Sequence, residues 1–158
     1  ILPLTSDDSV PTDSPKPSDD FPAPLTGRVL IIDDEDSIRK TTARLVESLG
    51  LVALTASGGL EGVRIVQEGE VDIALLDMTM PGLDGYETYT LLRSVRTDLP
   101  IVLSTGYDGD KASQRFKDGE LAAVLRKPYD RDTLYRTLVT AKPALAHSMD
   151  SADRPVAD

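Results

Sequence analysis

Short runs of apolar residues alternate along this chain with segments in which apolar residues recur at helical spacing. The runs fall at residues 28–32, 51–56, 71–77, 100–105 and 121–125. Short continuous apolar runs bounded by turn residues are typical of strands that are buried on both faces of a parallel sheet. The pattern therefore predicts five buried strands.

The segments that follow these runs predict helices. In the first of them Ile38, Thr42, Leu45 and Leu49 follow helical spacing, and Gly50 is a typical residue at a helix end. The predicted helices cover residues 37–49, 57–69, 86–95, 111–118 and 131–141. Five alternating strand and helix units favour an open three-layer α/β sandwich with a parallel sheet. A closed barrel of eight units would need roughly twice the length.

Composition divides the chain into a central domain and two ends. Residues 1–26 are rich in Pro, Ser and Asp, which cannot bury enough apolar surface to offset the entropy of ordering. We therefore predict a disordered linker there, and a flexible C-terminal tail at residues 142–158. The domain itself is expected to span residues 27–141.

Charge and residue content exclude several classes of function. The formal net charge is −10, which argues against nonspecific binding to nucleic acid or to an anionic membrane. No apolar run approaches the roughly 20 residues that span a bilayer, so we expect no membrane contact by this segment. The chain has no Cys, which excludes disulfides and thiolate chemistry and agrees with an expected cytoplasmic location.

Polar side chains that could take part in catalysis or metal binding follow four of the predicted strands. These residues are Asp33 and Asp34, Asp77, Ser104 and Thr105, and Lys127. Because the carboxyl ends of parallel strands meet at one edge of a sheet, the side chains are expected to converge. Carboxylates that lie together require a cation, and ligation by oxygen alone suits Mg²⁺.

Asp77 is the central residue of this group. A hydroxyl and an ammonium beside a metal ion suit the oxygens of a phosphoryl group. A carboxylate in such surroundings is arranged as a nucleophile that becomes an aspartyl phosphate. A single Asp at a strand end more often caps a turn, so the prediction depends on the joint occurrence of these residues.

Four segments of the chain resemble the motifs of the response-regulator receiver domain. They are VLIIDDE at residues 29–35, LLDMTMPGLDG at 75–85, PIVLSTGY at 100–107 and KPY at 127–129. The resemblance covers residues 27–141. It implies a flavodoxin-like (βα)5 sandwich with strand order 2-1-3-4-5, and a phosphoacceptor domain of a two-component phosphorelay.

The resemblance also assigns roles to the residues of the predicted metal site. Asp34 would bind Mg²⁺ directly, while Asp33 would act mainly through a metal-bound water. Asp77 and the backbone carbonyl of Thr79 would complete the protein ligands.

Phosphoryl transfer in the family implies roles for the remaining residues. Asp77 would accept the phosphoryl group from a histidine kinase or a histidine phosphotransfer domain, and autophosphatase activity would remove it. Thr105 would donate its hydroxyl to the phosphoryl group, and Lys127 would pair with it. Pro128 would place Lys127 through a cis peptide bond.

The signal would pass to the surface formed by the fourth predicted helix, the fifth strand and the fifth helix. Val124 stands there at a position where many receivers carry an aromatic residue that rotates on activation, so this chain departs from the family pattern. The resemblance places the kinase-side partner near Ile38 and Pro128, and it allows a phosphorylation-dependent dimer.

Two other functions compete with this interpretation. The sequence Asp34-Glu35-Asp36 after a strand resembles the start of haloacid-dehalogenase-type phosphatases, in which Asp34 would be the nucleophile and Asp36 the acid and base. That hypothesis does not explain Asp77 and its Pro-Gly turn. A receiver-like interaction module that is never phosphorylated is the other alternative, and the complete set of site residues argues against it.

The surroundings of the domain permit two contexts, a stand-alone regulator or a C-terminal receiver of a hybrid sensor histidine kinase. The missing initiator Met and the Pro/Ser/Asp-rich linker favour the second. The parent chain would then be a kinase, while this segment would be its phosphoacceptor.

Overall fold

The computed structural model describes residues 24–106, 114–117 and 119–146. Its five strands form one parallel sheet in the order β2-β1-β3-β4-β5. The strands are β1 (Arg28–Ile32), β2 (Val52–Ala56), β3 (Ile73–Asp77), β4 (Ile101–Thr105) and β5 (Ala123–Arg126). The helices among the described residues are α1 (Asp36–Ser48), α2 (Gly59–Glu68), α3 (Gly85–Val95) and α4 (Arg131–Ala141).

This architecture confirms the predicted α/β sandwich and its strand order. Most element bounds lie within two residues of those expected from the sequence. Of the helix predicted at residues 111–118, residues 111–113 and 118 lie outside the described residues, and residues 114–117 form turn, bend and irregular backbone instead of helix.

Hydrophobic side chains of the sheet point alternately to two separate cores. Leu30, Leu76 and Leu103 belong to the core that α2 and α3 cover. Val29 and Leu75 belong to the core that α1 and α4 cover. Because both faces of the sheet are buried, the inner strands carry continuous apolar runs, and a polar side chain within them has to be explained by the site it serves.

The end of β3 is held close to the start of α3. A Cβ added to Gly85 would lie 2.6 Å from the Cα of Met78, so a larger residue would push the helix away from the strand. The side chain of Asp84 accepts from the backbone N–H of Glu87, and Glu87 accepts from that of Asp84, which forms a capping box. The segment after Asp77 is therefore fixed at both ends.

Residues on either side of the predicted domain pack against it. Leu25 and Leu145 are 0% and 1% exposed and belong to the core under α1 and α4. The backbone N–H of Thr26 donates to the carbonyl of Leu145 at 3.0 Å, so the segment before β1 meets the segment after α4. Gly50, with φ of +99°, lets the Leu25 backbone pass close to the end of α1, since a Cβ at Gly50 would lie 2.7 Å from the carbonyl oxygen of Leu25.

The substitutions Leu25→Ala and Leu145→Ala are each expected to lower the free energy of unfolding by about 2–4 kcal/mol, because each leaves a cavity in a closed core. Urea denaturation followed by far-UV circular dichroism measures this change. Leu60→Ala is the control, since Leu60 is 66% exposed and its loss should cost about 0.5 kcal/mol or less. Equal effects at all three positions would contradict the packing described here.

No helix among the described residues is long and apolar enough to cross a membrane.

Candidate functional site

Three carboxylates meet at the carboxyl edge of the sheet. Asp33 and Asp34 follow β1, and Asp77 ends β3, the strand beside it. One carboxylate oxygen of each lies within 4.8 Å of the others. Asp33 and Asp77 are buried, at 4% and 6% exposure, whereas Asp34 is exposed. The structure thus brings together the three acidic residues that the strand ends predicted.

Lys127 joins two of these carboxylates. Its Nζ lies 3.1 Å from Oδ2 of Asp33 and 3.0 Å from Oδ1 of Asp77. The Lys127-Pro128 peptide bond is cis, as the sequence motif predicted. The backbone N–H of Lys127 donates to the carbonyl of Thr105 at 2.7 Å, which ties the loop after β5 to the end of β4.

The ionisable groups of the site affect one another. Burial raises the pKa of Asp77 to about 6, although hydrogen bonding and the charge of Lys127 oppose the shift. Burial by itself would lower the pKa of Lys127, but its contacts with Asp77 and Asp33 outweigh burial and raise that pKa. At neutral pH the Lys127 ammonium therefore lies beside a largely ionised Asp77 carboxylate.

Two hydroxyls at the end of β4 lie near this group. Ser104 is the register partner of Asp77, and Thr105 follows it. Both side chains are buried, and neither hydroxyl makes a hydrogen bond of good geometry among the described residues, although Ser104 is near enough to the Tyr129 hydroxyl to lower its pKa. Since a buried hydroxyl normally finds a partner, both are groups that could bond to a ligand of the site.

Thr79 lies in the loop that follows Asp77, and its side chain is exposed. Its backbone hydrogen bond to Asp77 favours the ionised carboxylate, because it lowers the pKa of that group. The structure therefore places the Thr79 backbone beside Asp77, and the role of its carbonyl as a metal ligand, which the resemblance implied, stays a prediction.

The donor set of the site consists of oxygen atoms. Asp33, Asp34 and Asp77 offer carboxylate oxygens at one point, and hard cations such as Mg²⁺ prefer such ligands. The ammonium of Lys127 contacts two of the three residues, so part of the negative charge is balanced by the protein itself. These residues fit a magnesium ion.

Sequence reasoning missed two contacts that α1 makes with the site. Arg39 donates from Nη1 to the carbonyl oxygen of Asp33 at 2.8 Å. Thr42 Oγ1 lies 2.9 Å from the hydroxyl of Tyr129, two residues after Lys127. A polar residue on the apolar face of the first predicted helix was the available signal for Thr42, and nothing in the sequence indicated Arg39.

In chelator, Asp77→Asn is expected to raise the free energy of unfolding at pH 7 by about 2 kcal/mol. The folded state holds the Asp77 proton up to pH 6 or so, while the unfolded chain releases it near pH 4, so ionisation of Asp77 lowers stability as pH rises between these values. The gain should disappear at pH 4. Urea denaturation of both proteins at the two pH values tests this, and a variant less stable than the wild type at pH 7 would contradict it.

Comparison with known proteins agrees with the geometry. A family model described as the response regulator receiver domain matches residues 29–139. The sensor histidine kinase RcsC of Escherichia coli is 28% identical over 123 residues, which cover 78% of this chain and 13% of RcsC. The sensor kinase CckA of Brucella abortus is 31% identical, over 70% of this chain and 12% of CckA. The chain thus spans only a small part of these relatives.

Solved structures give the same result. A response regulator receiver domain protein of Clostridium thermocellum matches with a TM-score of 0.68 and 31% identity, over 75% of this chain and 95% of that one. The response regulator TrrA of Thermotoga maritima, solved in complex with Mg²⁺-BeF, matches with a TM-score of 0.62 and 28% identity. That match covers 71% of this chain and 96% of TrrA.

Proposed function

This chain belongs to the response regulator receiver domain family of two-component signalling, and on that basis we propose that Asp77 accepts a phosphoryl group from a phosphohistidine. The observation that carries the proposal is the surroundings of Asp77. Its buried carboxylate is paired with Lys127 and lies beside two further carboxylates. Perturbed ionisable groups at the edge of a parallel sheet are typical of sites that do chemistry.

The proposed reaction is an in-line displacement at phosphorus. A carboxylate oxygen of Asp77 forms the new P–O bond while the P–N bond to the donor imidazole breaks. The imidazole leaves with the electron pair of that bond and takes up a proton, and Asp77 becomes an acyl phosphate. Because the pKa of Asp77 is about 6, its carboxylate is largely ionised at neutral pH, as a nucleophile must be.

The other residues of the site would hold the transferred group. Lys127 lies 3.0 Å from Asp77 and would pair with the added negative charge. The buried hydroxyl of Thr105 would donate to a phosphoryl oxygen and so gain the partner that it lacks among the described residues.

Asp33, Asp34, Asp77 and the carbonyl of Thr79 would hold a magnesium ion. When bound, the ion neutralises negative charge on the phosphoryl oxygens. The complex of the similar protein TrrA with Mg²⁺-BeF supports magnesium binding by analogy.

Phosphorylation is proposed to act as a conformational switch. A phosphoryl group that draws Thr105 inward would displace the end of β4, and β5 is the neighbouring strand. Val124 on β5 is 43% exposed, so the affected surface is open to partners, including a second copy of the chain.

The phosphodonor is proposed to be a histidine kinase or a histidine phosphotransfer domain. A groove between α1 and the loop after β5, lined by Ile38, Leu45 and Pro128 among others, opens beside Lys127 and could receive such a partner. The relatives named as sensor kinases support a hybrid-kinase context. In that context the domain is proposed to lie on the cytoplasmic side.

Intact-mass spectrometry after incubation with acetyl phosphate and Mg²⁺ tests the proposal. We expect a gain of one phosphoryl group that requires Mg²⁺ and is removed by hydroxylamine, which cleaves acyl phosphates. A protein that binds neither phosphoryl group nor Mg²⁺-BeF would instead be a phosphorylation-independent interaction module.

A further inference from the structure

The residue that bridges the carboxylates stands on weakly supported backbone. Lys127 follows β5, a four-residue strand at the edge of the sheet. One backbone hydrogen bond, to Thr105, anchors Lys127 itself to the neighbouring strand. Its Nζ must nevertheless stay within hydrogen-bond distance of both Asp33 and Asp77, so a further support for this loop is needed.

Tyr129 provides a contact of the required kind. Its ring packs against the core under α1 and α4, and its hydroxyl lies 2.9 Å from Thr42 Oγ1. Thr42 is 3% exposed on the inner side of α1. This hydrogen bond therefore connects the Lys127 loop to α1, the helix that follows Asp33 and Asp34.

The surroundings of the Tyr129 hydroxyl agree with a link to the charged groups. Burial raises the pKa of Tyr129, so the hydroxyl remains protonated at neutral pH and can donate or accept. The charges of Lys127 and Asp33 and the hydroxyl of Ser104 have smaller effects on the same pKa.

The contact between Tyr129 and Thr42 is separate from a second contact between the same elements. Arg131 donates from Nε to Ser48 Oγ at 3.0 Å and from Nη2 to the Ser48 carbonyl at 2.9 Å, near the end of α1. The start of α4 is thus held to α1 without Tyr129. Loss of the hydroxyl should consequently affect the Lys127 loop while the packing of the two helices persists.

We propose that Tyr129 and Thr42 are positioning residues for phosphoryl transfer, whose hydrogen bond holds the Lys127 ammonium between Asp33 and Asp77. This inference rests on the proposed function of Asp77. The Tyr129 hydroxyl does not touch the reacting atoms but acts through Lys127. Thr42 and Tyr129 are 87 residues apart in the sequence, so their hydrogen bond forms only in the folded protein.

The test compares Tyr129→Phe, Thr42→Val, the double variant and Thr42→Ser. Phosphorylation rates are measured with acetyl phosphate, which needs no protein docking, at a temperature where every variant is fully folded. Tyr129→Phe and Thr42→Val should each slow phosphorylation by roughly three- to tenfold. The double variant should be no slower than Tyr129→Phe alone, since loss of the Tyr129 hydroxyl already removes the hydrogen bond to Thr42.

Two readouts separate positioning from a merely structural role. Thr42→Ser keeps the hydroxyl and should retain the wild-type rate. Mg²⁺ affinity, measured by isothermal titration calorimetry, should change less than the rate in each variant, because Asp33, Asp34 and Asp77 remain in place. Wild-type rates in Tyr129→Phe and Thr42→Val, or additive effects in the double variant, would overturn the inference. A wild-type protein that accepts no phosphoryl group would instead refute the proposed function.

Discussion

Asp77→Asn is expected to abolish phosphoryl uptake from acetyl phosphate, a loss of at least about 10³-fold relative to the wild type. The amide is neutral and is a poor nucleophile, while its size is close to that of the carboxylate. The fold should persist, because the carbonyl oxygen of Asn can still accept from Lys127. Intact-mass spectrometry and circular dichroism on the same samples separate lost chemistry from lost structure.

Asp36→Asn is the matched control for this experiment. The Asp36 side chain is 61% exposed on the first turn of α1, where it pairs with Lys40 and Arg39 and lies outside the cluster of three carboxylates. Its loss should leave phosphoryl uptake near the wild-type value. In a phosphatase that used Asp34 as the nucleophile and Asp36 as the acid and base, Asp36→Asn would slow the reaction and Asp77→Asn would not. A phosphoryl group found on Asp34 by peptide mapping would exclude the receiver mechanism.

Lys127→Met is expected to change phosphoryl transfer and metal binding in opposite directions. The rate of phosphoryl uptake should fall by about 10²-fold, because the variant lacks the ammonium that pairs with the transferred group. Mg²⁺ should bind more tightly, because Lys127 occupies one oxygen each of Asp33 and Asp77 in the protein described here. Phosphorylation rates and isothermal titration calorimetry measure the two effects.

Lys40→Met removes a positive charge from the exposed side of α1 and is the control. Because the Lys40 side chain is 68% exposed, its charge is screened by solvent and should influence neither measurement appreciably. Weaker Mg²⁺ binding in Lys127→Met would mean that the ammonium supports the metal ligands rather than competing for them.

The residues of the site could be predicted because they follow directly from the strand pattern. Asp33, Asp77, Thr105 and Lys127 each stand at or just beyond the end of a predicted strand, and a parallel sheet brings such ends together. The family motif added the cis bond before Pro128. Neither prediction required knowledge of side-chain conformations.

The supporting contacts could not be predicted in the same way. The pairing of Thr42 with Tyr129 depends on the angle at which α1 crosses the sheet. Leu25 and Leu145 pack into one core although they belong to segments whose composition is that of a linker and a tail. Composition suggested disorder at both ends because it averages over many residues, whereas a single buried Leu decides where ordered packing begins.

The contact between the segments that enter and leave the domain bears on how the domain can be inserted into other proteins. The Thr26 N–H lies 3.0 Å from the Leu145 carbonyl, beside the first residues of β1, whereas the carboxylates lie beyond the last residues of that strand. A host protein could therefore accept the whole unit within one surface loop, since its entry and exit points nearly coincide. Recombination between genes could insert the domain into another protein with its carboxylates at the opposite end of β1 from the junction.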